Sequence, residues 1–188
     1  MRAGGPDRRV GYPGPVKTVV LDPPPVEVEQ LIERRKRLGL DLYDEMWGGT
    51  YHMAPAARFR HADLDQQLAV LLDPLANNVG LVMTGPFNLG EPENFRVPDR
   101  GMHGGHQDPE AVYLDTAAVV VEIVSPGDET YDKLPFYADH RVGEVLVVDP
   151  AERRVEVLVL AGDYYRGAER SALLDVLASD LDSALRWP

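Results

Sequence analysis

The run Ala117-Ala118-Val119-Val120-Val121-Glu122-Ile123-Val124 carries one ionisable side chain among small and β-branched apolar neighbours, and Ser125-Pro126 ends it. A short, continuous apolar run bounded by turn residues reads as a central strand covered on both faces. Covering both faces requires elements packed above and below, so the expected fold class is α/β (α+β), a mixed β-sheet flanked by helices. An isolated carboxylate in such a strand would cost several kcal/mol in desolvation, and the chain must supply Glu122 with a partner. The candidates are Asp99, in Val97-Pro98-Asp99, and Lys133, in Asp132-Lys133-Leu134-Pro135. Two acids and a lysine spaced this way suggest a divalent-metal site.

With 188 residues the chain has the size of one domain that can bury a site. Cysteine is absent, which excludes disulfides, thiolate nucleophiles and sulfur-ligated metals, so any metal must be held by oxygen or imidazole. The first residues lack the apolar stretch of a signal peptide, and no apolar run approaches the roughly 18 residues that span a bilayer. A cytoplasmic protein without a membrane partner is expected. Lys and Arg total 19 against 31 Asp and Glu, a formal net charge of −12. That balance opposes attraction to nucleic acid. It is equally what plain solubility would produce, and bound divalent cations would neutralise part of the field at an acidic active site.

The Pro and Gly content of residues 1–25 reads as an extended arm, leaving a folded domain over 26–188. Val26–Leu38 has a helical pattern ended by Gly39. Residues 42–46 and 50–53 read as a hairpin about Gly48-Gly49, and residues 62–76 as an amphipathic helix with a stripe of Leu64, Leu68, Leu71, Leu72 and Leu75, His61 lying at its beginning. Strands are expected over 81–87 and 95–97, and a mobile loop over 101–105. Residues 129–141 look helical, with Pro135 tolerated in the first turn. Residues 145–148 form a buried strand, 154–160 a half-exposed strand whose hairpin partner starts at Asp163-Tyr164-Tyr165, and 180–187 a short terminal helix. No repeat and no second apolar cluster is evident, which favours a single mixed sheet.

If the strands carrying Asp99 and Glu122 pair, they lie about 4.8 Å apart and both carboxylates reach one cation. Two such oxygens plus waters suit magnesium or manganese, and the backbone carbonyl of Ile123 would be a further ligand. Lys133, about a helix turn beyond the strand, would hold the attacking water or a phosphate oxygen. The bland alternatives are a buried Glu122–Lys133 pair that only ties strand to helix, and a Pro-Asp turn at Asp99. His103-Gly104-Gly105-His106 resembles a metal spacing, but its glycines leave the rings unfixed. Tyr131, Tyr137, Tyr164 and Tyr165 could stack on bases, although half-buried packing explains them better. Neither a phosphate-binding Gly-rich loop nor a Gly-x-Ser-x-Gly elbow occurs.

Tyr43-Asp44-Glu45-Met46-Trp47-Gly48-Gly49-Thr50-Tyr51-His52-Met53-Ala54-Pro55, Val97-Pro98-Asp99, Val121-Glu122-Ile123-Val124-Ser125-Pro126 and Asp132-Lys133-Leu134-Pro135-Phe136-Tyr137 follow one another in order. Over roughly residues 27–165 the chain resembles the Uma-type restriction endonuclease family of the PD-(D/E)XK nuclease superfamily. The resemblance implies a restriction-endonuclease-like core, often dimeric, with Asp99, Glu122 and Lys133 catalytic and His61 facing the site. It further implies metal ligation by Asp99, Glu122 and Ile123, magnesium or manganese as cofactor, and DNA as partner. The lysine usual two residues after the second acid is Val124 here, and Lys133 resembles a migrated replacement. Gly49 stands where many relatives carry Glu, with Glu45 or His61 as candidate substitutes. Two functions remain open: a metal-dependent endonuclease that hydrolyses DNA phosphodiester bonds, or a catalytically inactive nuclease-fold binding or assembly module. Gly49, the acidic charge and the lack of a basic patch favour the second.

Overall fold

In the computed structural model, which describes residues 25–54, 57–127 and 129–188, the apolar run around Glu122 is the strand Val119–Ile123, buried at every position. The arm expected over 1–25 lies outside the described residues apart from Pro25. In chain order the elements begin with helix α1 (Val26–Leu38), the hairpin β1 (Glu45–Trp47) and β2 (Thr50–His52), and helix α2 (Phe59–Asn78). Strands β3 (Val82–Thr84), β4 (Asn88–Glu91), β5 (Asn94–Arg96), β6 (Arg100–His103), β7 (Tyr113–Leu114) and β8 (Val119–Ile123) follow. A 3₁₀ turn (Thr130–Lys133) runs into α3 (Leu134–Asp139), and the chain closes with β9 (Glu144–Asp149), β10 (Arg154–Ala161), β11 (Tyr164–Ala168), β12 (Arg170–Ser171), β13 (Val176–Leu177) and α4 (Ala178–Ala184).

The principal sheet has the order β11-β10-β9-β8-β6-β3. Within it β8 and β9 are parallel, joined by the α3 crossover, and the other neighbours are antiparallel. Alternation along β8 decides what each residue meets. Val119, Val121 and Ile123 face a cluster with Leu64, Leu68 and Leu72 of α2, whereas Val120 faces Phe136 and Tyr137 of α3 together with Val145 and Val147 of β9. Glu122 shares the face of Val120, and its partners must come from the α3 side. Pro135 occupies the first turn of α3, where its missing N–H leaves no bond unmade.

Where the pattern suggests a single sheet, a second one ordered β2-β1-β5-β4-β7 and a two-stranded pair β12-β13 stand beside the principal sheet, and two apolar clusters replace one. The strands of the second sheet are too short to show a period. Of the mobile loop expected over 101–105, residues 101–103 instead belong to the interior strand β6, which pairs with both β3 and β8. Gly101 is the source of that error: a Cβ there would stand 2.3 Å from the Phe87 ring and 2.8 Å from His103 Nε2, so glycine is required for packing rather than for mobility. The strand before Asp99, β5, pairs with β1 and β4 and not with β8; it is β6, after Asp99, that pairs with β8. The Gly48-Gly49 turn does adopt the expected hairpin form, with φ of 56° and 87° at its two residues.

Gly90 in β4 has φ +118°, and a Cβ there would lie 2.4 Å from the main-chain oxygen of Asn94. Gly90→Ala is therefore expected to lower stability by about 2–3 kcal/mol, because both the backbone strain and the clash are with main chain. Urea titration checks this, and a midpoint equal to that of the parent chain would contradict it.

His103 is buried in β6, with Nε2 3.2 Å from Thr84 Oγ1 and the Phe87 ring edge-on at 4.7 Å. Burial lowers its pKa from the ordinary 6.5. The unfolded chain then takes up a proton that the folded one resists, so this residue destabilises the fold as pH falls below 6.5. Replacing it by Gln should flatten the acid side of the stability–pH curve; an unchanged slope would remove His103 as a cause.

Candidate active site

Tyr137 Oη donates a hydrogen bond to Glu122 Oε1, and Lys133 Nζ lies 3.1 and 3.3 Å from the two Glu122 oxygens. The same ammonium lies 2.8 Å from Glu45 Oε1, from β1 in the other sheet. Glu45 is itself held: Oε1 accepts from Val97 N at 2.8 Å and Oε2 from Trp47 Nε1 at 2.6 Å. Lys133 thus bridges two carboxylates, with side-chain exposures of 13 % for the lysine, 5 % for Glu122 and 8 % for Glu45. Burial pushes Glu122 up to about 7, against the opposing pull of Lys133 and with help from the charges of Asp99 and Glu45. Burial alone would lower Lys133, but Glu122 and Glu45 outweigh it and hold the ammonium charged beyond its ordinary range. Burial also raises Tyr137 well above 10, so it keeps its proton and acts as a donor.

Asp99 lies between β5 and β6. Its Oδ2 accepts from the main-chain N–H of Ile123 at 2.7 Å, which fastens the turn to the last residue of β8. Its Oδ1 lies 2.8 Å from His61 Nε2, and His61 Nδ1 lies 3.5 Å from Ser125 Oγ. The hydrogen bond to Asp99 raises the pKa of His61 against the effect of burial, favouring the imidazolium. Beside Glu45, the Arg96 guanidinium is held between the Trp47 and Phe136 rings, 4.1 Å from each centroid, and Trp47 stacks on His52 at 4.3 Å.

The structure therefore brings together Glu122 and Lys133, and separately Asp99 and His61, with the adjacent residues Glu122 and Ile123 linking the two groups. Ile123 meets Asp99 through its N–H. Gly49 lies on the hairpin turn, its N–H donated to Glu93 O at 3.1 Å. His103 is buried, whereas His106 is exposed. Glu45, offered by the sequence only as a substitute for a missing acid, is a full partner of Lys133. Tyr137, read as half-buried packing, is fully buried and bonded to Glu122. Its signal was its position four residues after Lys133, on the same helical side. The signal for Glu45 was its two-residue spacing from Trp47, on one face of a strand.

The donors present are hard oxygens, and the charge of Asp99 disfavours ionisation of Glu122, a repulsion that a cation between them would relieve. Among the described residues no group of three His, Asp or Glu side chains is arranged around one point. Carboxylate oxygens of this kind are the donors that magnesium and manganese prefer.

A mixed sheet flanked by helices, with an acid on the strand before the crossover and a lysine at the end of the 3₁₀ turn that leads into the crossover helix, defines a restriction-endonuclease-like α+β fold. The family model named Uma2 and described as "Putative restriction endonuclease" matches residues 29–185, and the chain belongs to that family. Its fold is similar to that of a crystal structure titled a putative nuclease belonging to DUF820 from Anabaena variabilis, with a TM-score of 0.61 and 13% sequence identity over 75% of this chain and 90% of that one. No curated protein matches the chain. No helix among the described residues is long and apolar enough to cross a membrane.

Proposed function

We propose that this protein is a metal-dependent endonuclease that hydrolyses DNA phosphodiester bonds, with residues 26–188 as its catalytic unit. The observation that carries the reading is the fastening of Asp99 to the end of the very strand in which Glu122 is bridged by Lys133. Asp99 and Glu122 would hold magnesium or manganese. Once bound, such an ion polarises a phosphoryl oxygen and lowers the pKa of a water. Lys133, kept charged by two carboxylates, orients the nucleophile or meets the developing charge on phosphorus oxygens. Glu45 fixes the direction of Lys133, Tyr137 fixes the Glu122 carboxyl, and His61 orients Asp99 from the α2 side. Family membership and the name of the structural relative support the nuclease class.

Gly49 and the net charge of −12 favour a second reading, a nuclease-fold binding module without turnover. Calorimetry with manganese separates the two. Binding by the full chain that disappears in Asp99→Asn is expected, and no heat at millimolar manganese would favour the module.

A further inference from the structure

Phe59 opens α2 with 87 % of its surface exposed, more than any other large apolar side chain among the described residues. A lone exposed apolar residue is ordinary. Its setting is not: Arg58 and Arg60 flank it, both exposed, and neither guanidinium has a hydrogen-bond or ion-pair partner among the described residues. The acids closest along the helix are already engaged, Asp65 by Arg100 at 2.6 Å and Asp63 by Arg186 at 3.9 Å. The next residue is His61, bonded to Asp99, which puts this Arg-Phe-Arg turn at the rim of the candidate active site. A chain with net charge −12 repels a polyanion over most of its surface and must concentrate attraction locally.

We propose that Arg58, Phe59 and Arg60 form the element that seizes DNA beside the scissile bond, the arginines on phosphates and Phe59 stacked on an unpaired base. The inference rests on the hydrolytic reading and names its substrate class: single-stranded or locally unpaired DNA. Phosphates suit guanidinium forks, and an aromatic ring in water gains from a base face. In intact duplex those faces are covered by neighbouring bases, so stacking needs a base already out of the helix. The competing occupant is a second copy of this acidic chain.

Fluorescence anisotropy in EDTA, with one oligodeoxynucleotide as single strand and as duplex, tests this on the full chain. The parent should prefer the single strand. Phe59→Ala should weaken single-strand binding about ten- to hundred-fold, and duplex binding far less. Removing each arginine should reduce the slope of log affinity against log salt by about 0.7 per lost phosphate contact. Val70→Ser, on the same helix and 66 % exposed, should leave affinity unchanged. Single-strand affinities within about twofold of the parent for all three turn variants would overturn the proposal, given that one stacked base alone is worth more than that. So would unchanged affinity accompanied by a smaller sedimentation mass, which assigns the turn to a second copy. Cleavage of the same oligonucleotides with manganese reads the hydrolytic function separately. Binding losses in a chain that cuts nothing would sustain the DNA-seizing turn and overturn hydrolysis; metal-dependent cutting with unaffected binding would do the reverse.

Discussion

Lys133→Met is expected to destabilise the metal-free protein by about 3–5 kcal/mol, the usual consequence of removing one partner from a buried ionic cluster. The substitution keeps most of the stem volume and removes the ammonium between Glu122 and Glu45, which stand 3.1 and 2.8 Å from it. Two carboxylates with side-chain exposures of 5 % and 8 % then lose the ammonium that bridges them. Glu122 answers by holding its proton to higher pH. Its pKa is already raised by burial to about 7, above the ordinary 4.5, so the folded chain binds more protons than the unfolded one through that interval and stability declines as pH rises. Losing Lys133 extends the decline upward, and the penalty should be larger at about pH 8 than at about pH 6. Adding Glu45→Gln to Lys133→Met should recover part of the loss, because one uncompensated charge is gone. Urea unfolding in EDTA at the two pH values measures all of this. A penalty below about 1 kcal/mol, within the range of a solvent-exposed pair, would show that the cluster is open to water.

The centre of this molecule was legible because burying a strand on both faces demands an unbroken apolar run, and Glu122 breaks one. Lys133 was legible as its partner because it follows the strand closely and opens the crossover helix. Glu45 was less so: it belongs to a three-residue strand in another sheet, and its local sign was limited to sharing a strand face with Trp47. The strand β6 was hidden by Gly101, whose absent side chain makes room for Phe87 and His103 and looks, in sequence, like freedom to move. The start of α2 was placed late because Phe59 points to water and contributes nothing to the helical apolar period, which begins with Leu64.

Glu122→Gln and Asp99→Asn are each expected to reduce DNA cleavage by at least about 10²–10³-fold, the scale on which a preorganised electrostatic group contributes to a transition state. Both substitutions keep the size of the side chain and remove a negative charge. The amide oxygen introduced by Glu122→Gln would still accept from Tyr137 and Lys133, and that introduced by Asp99→Asn would still accept from the Ile123 N–H. The architecture built on those bonds should therefore persist while hold on a divalent ion fails. The two losses should not add if both carboxylates hold the same ion. The decisive measurement is the single-turnover cleavage rate of unpaired DNA by the full chain and by Glu122→Gln, with manganese and with EDTA. Manganese-dependent cutting by the parent is expected, with none in EDTA and a rate for Glu122→Gln lower by at least about 10²-fold. Equal manganese-dependent rates for the two proteins would contradict that expectation.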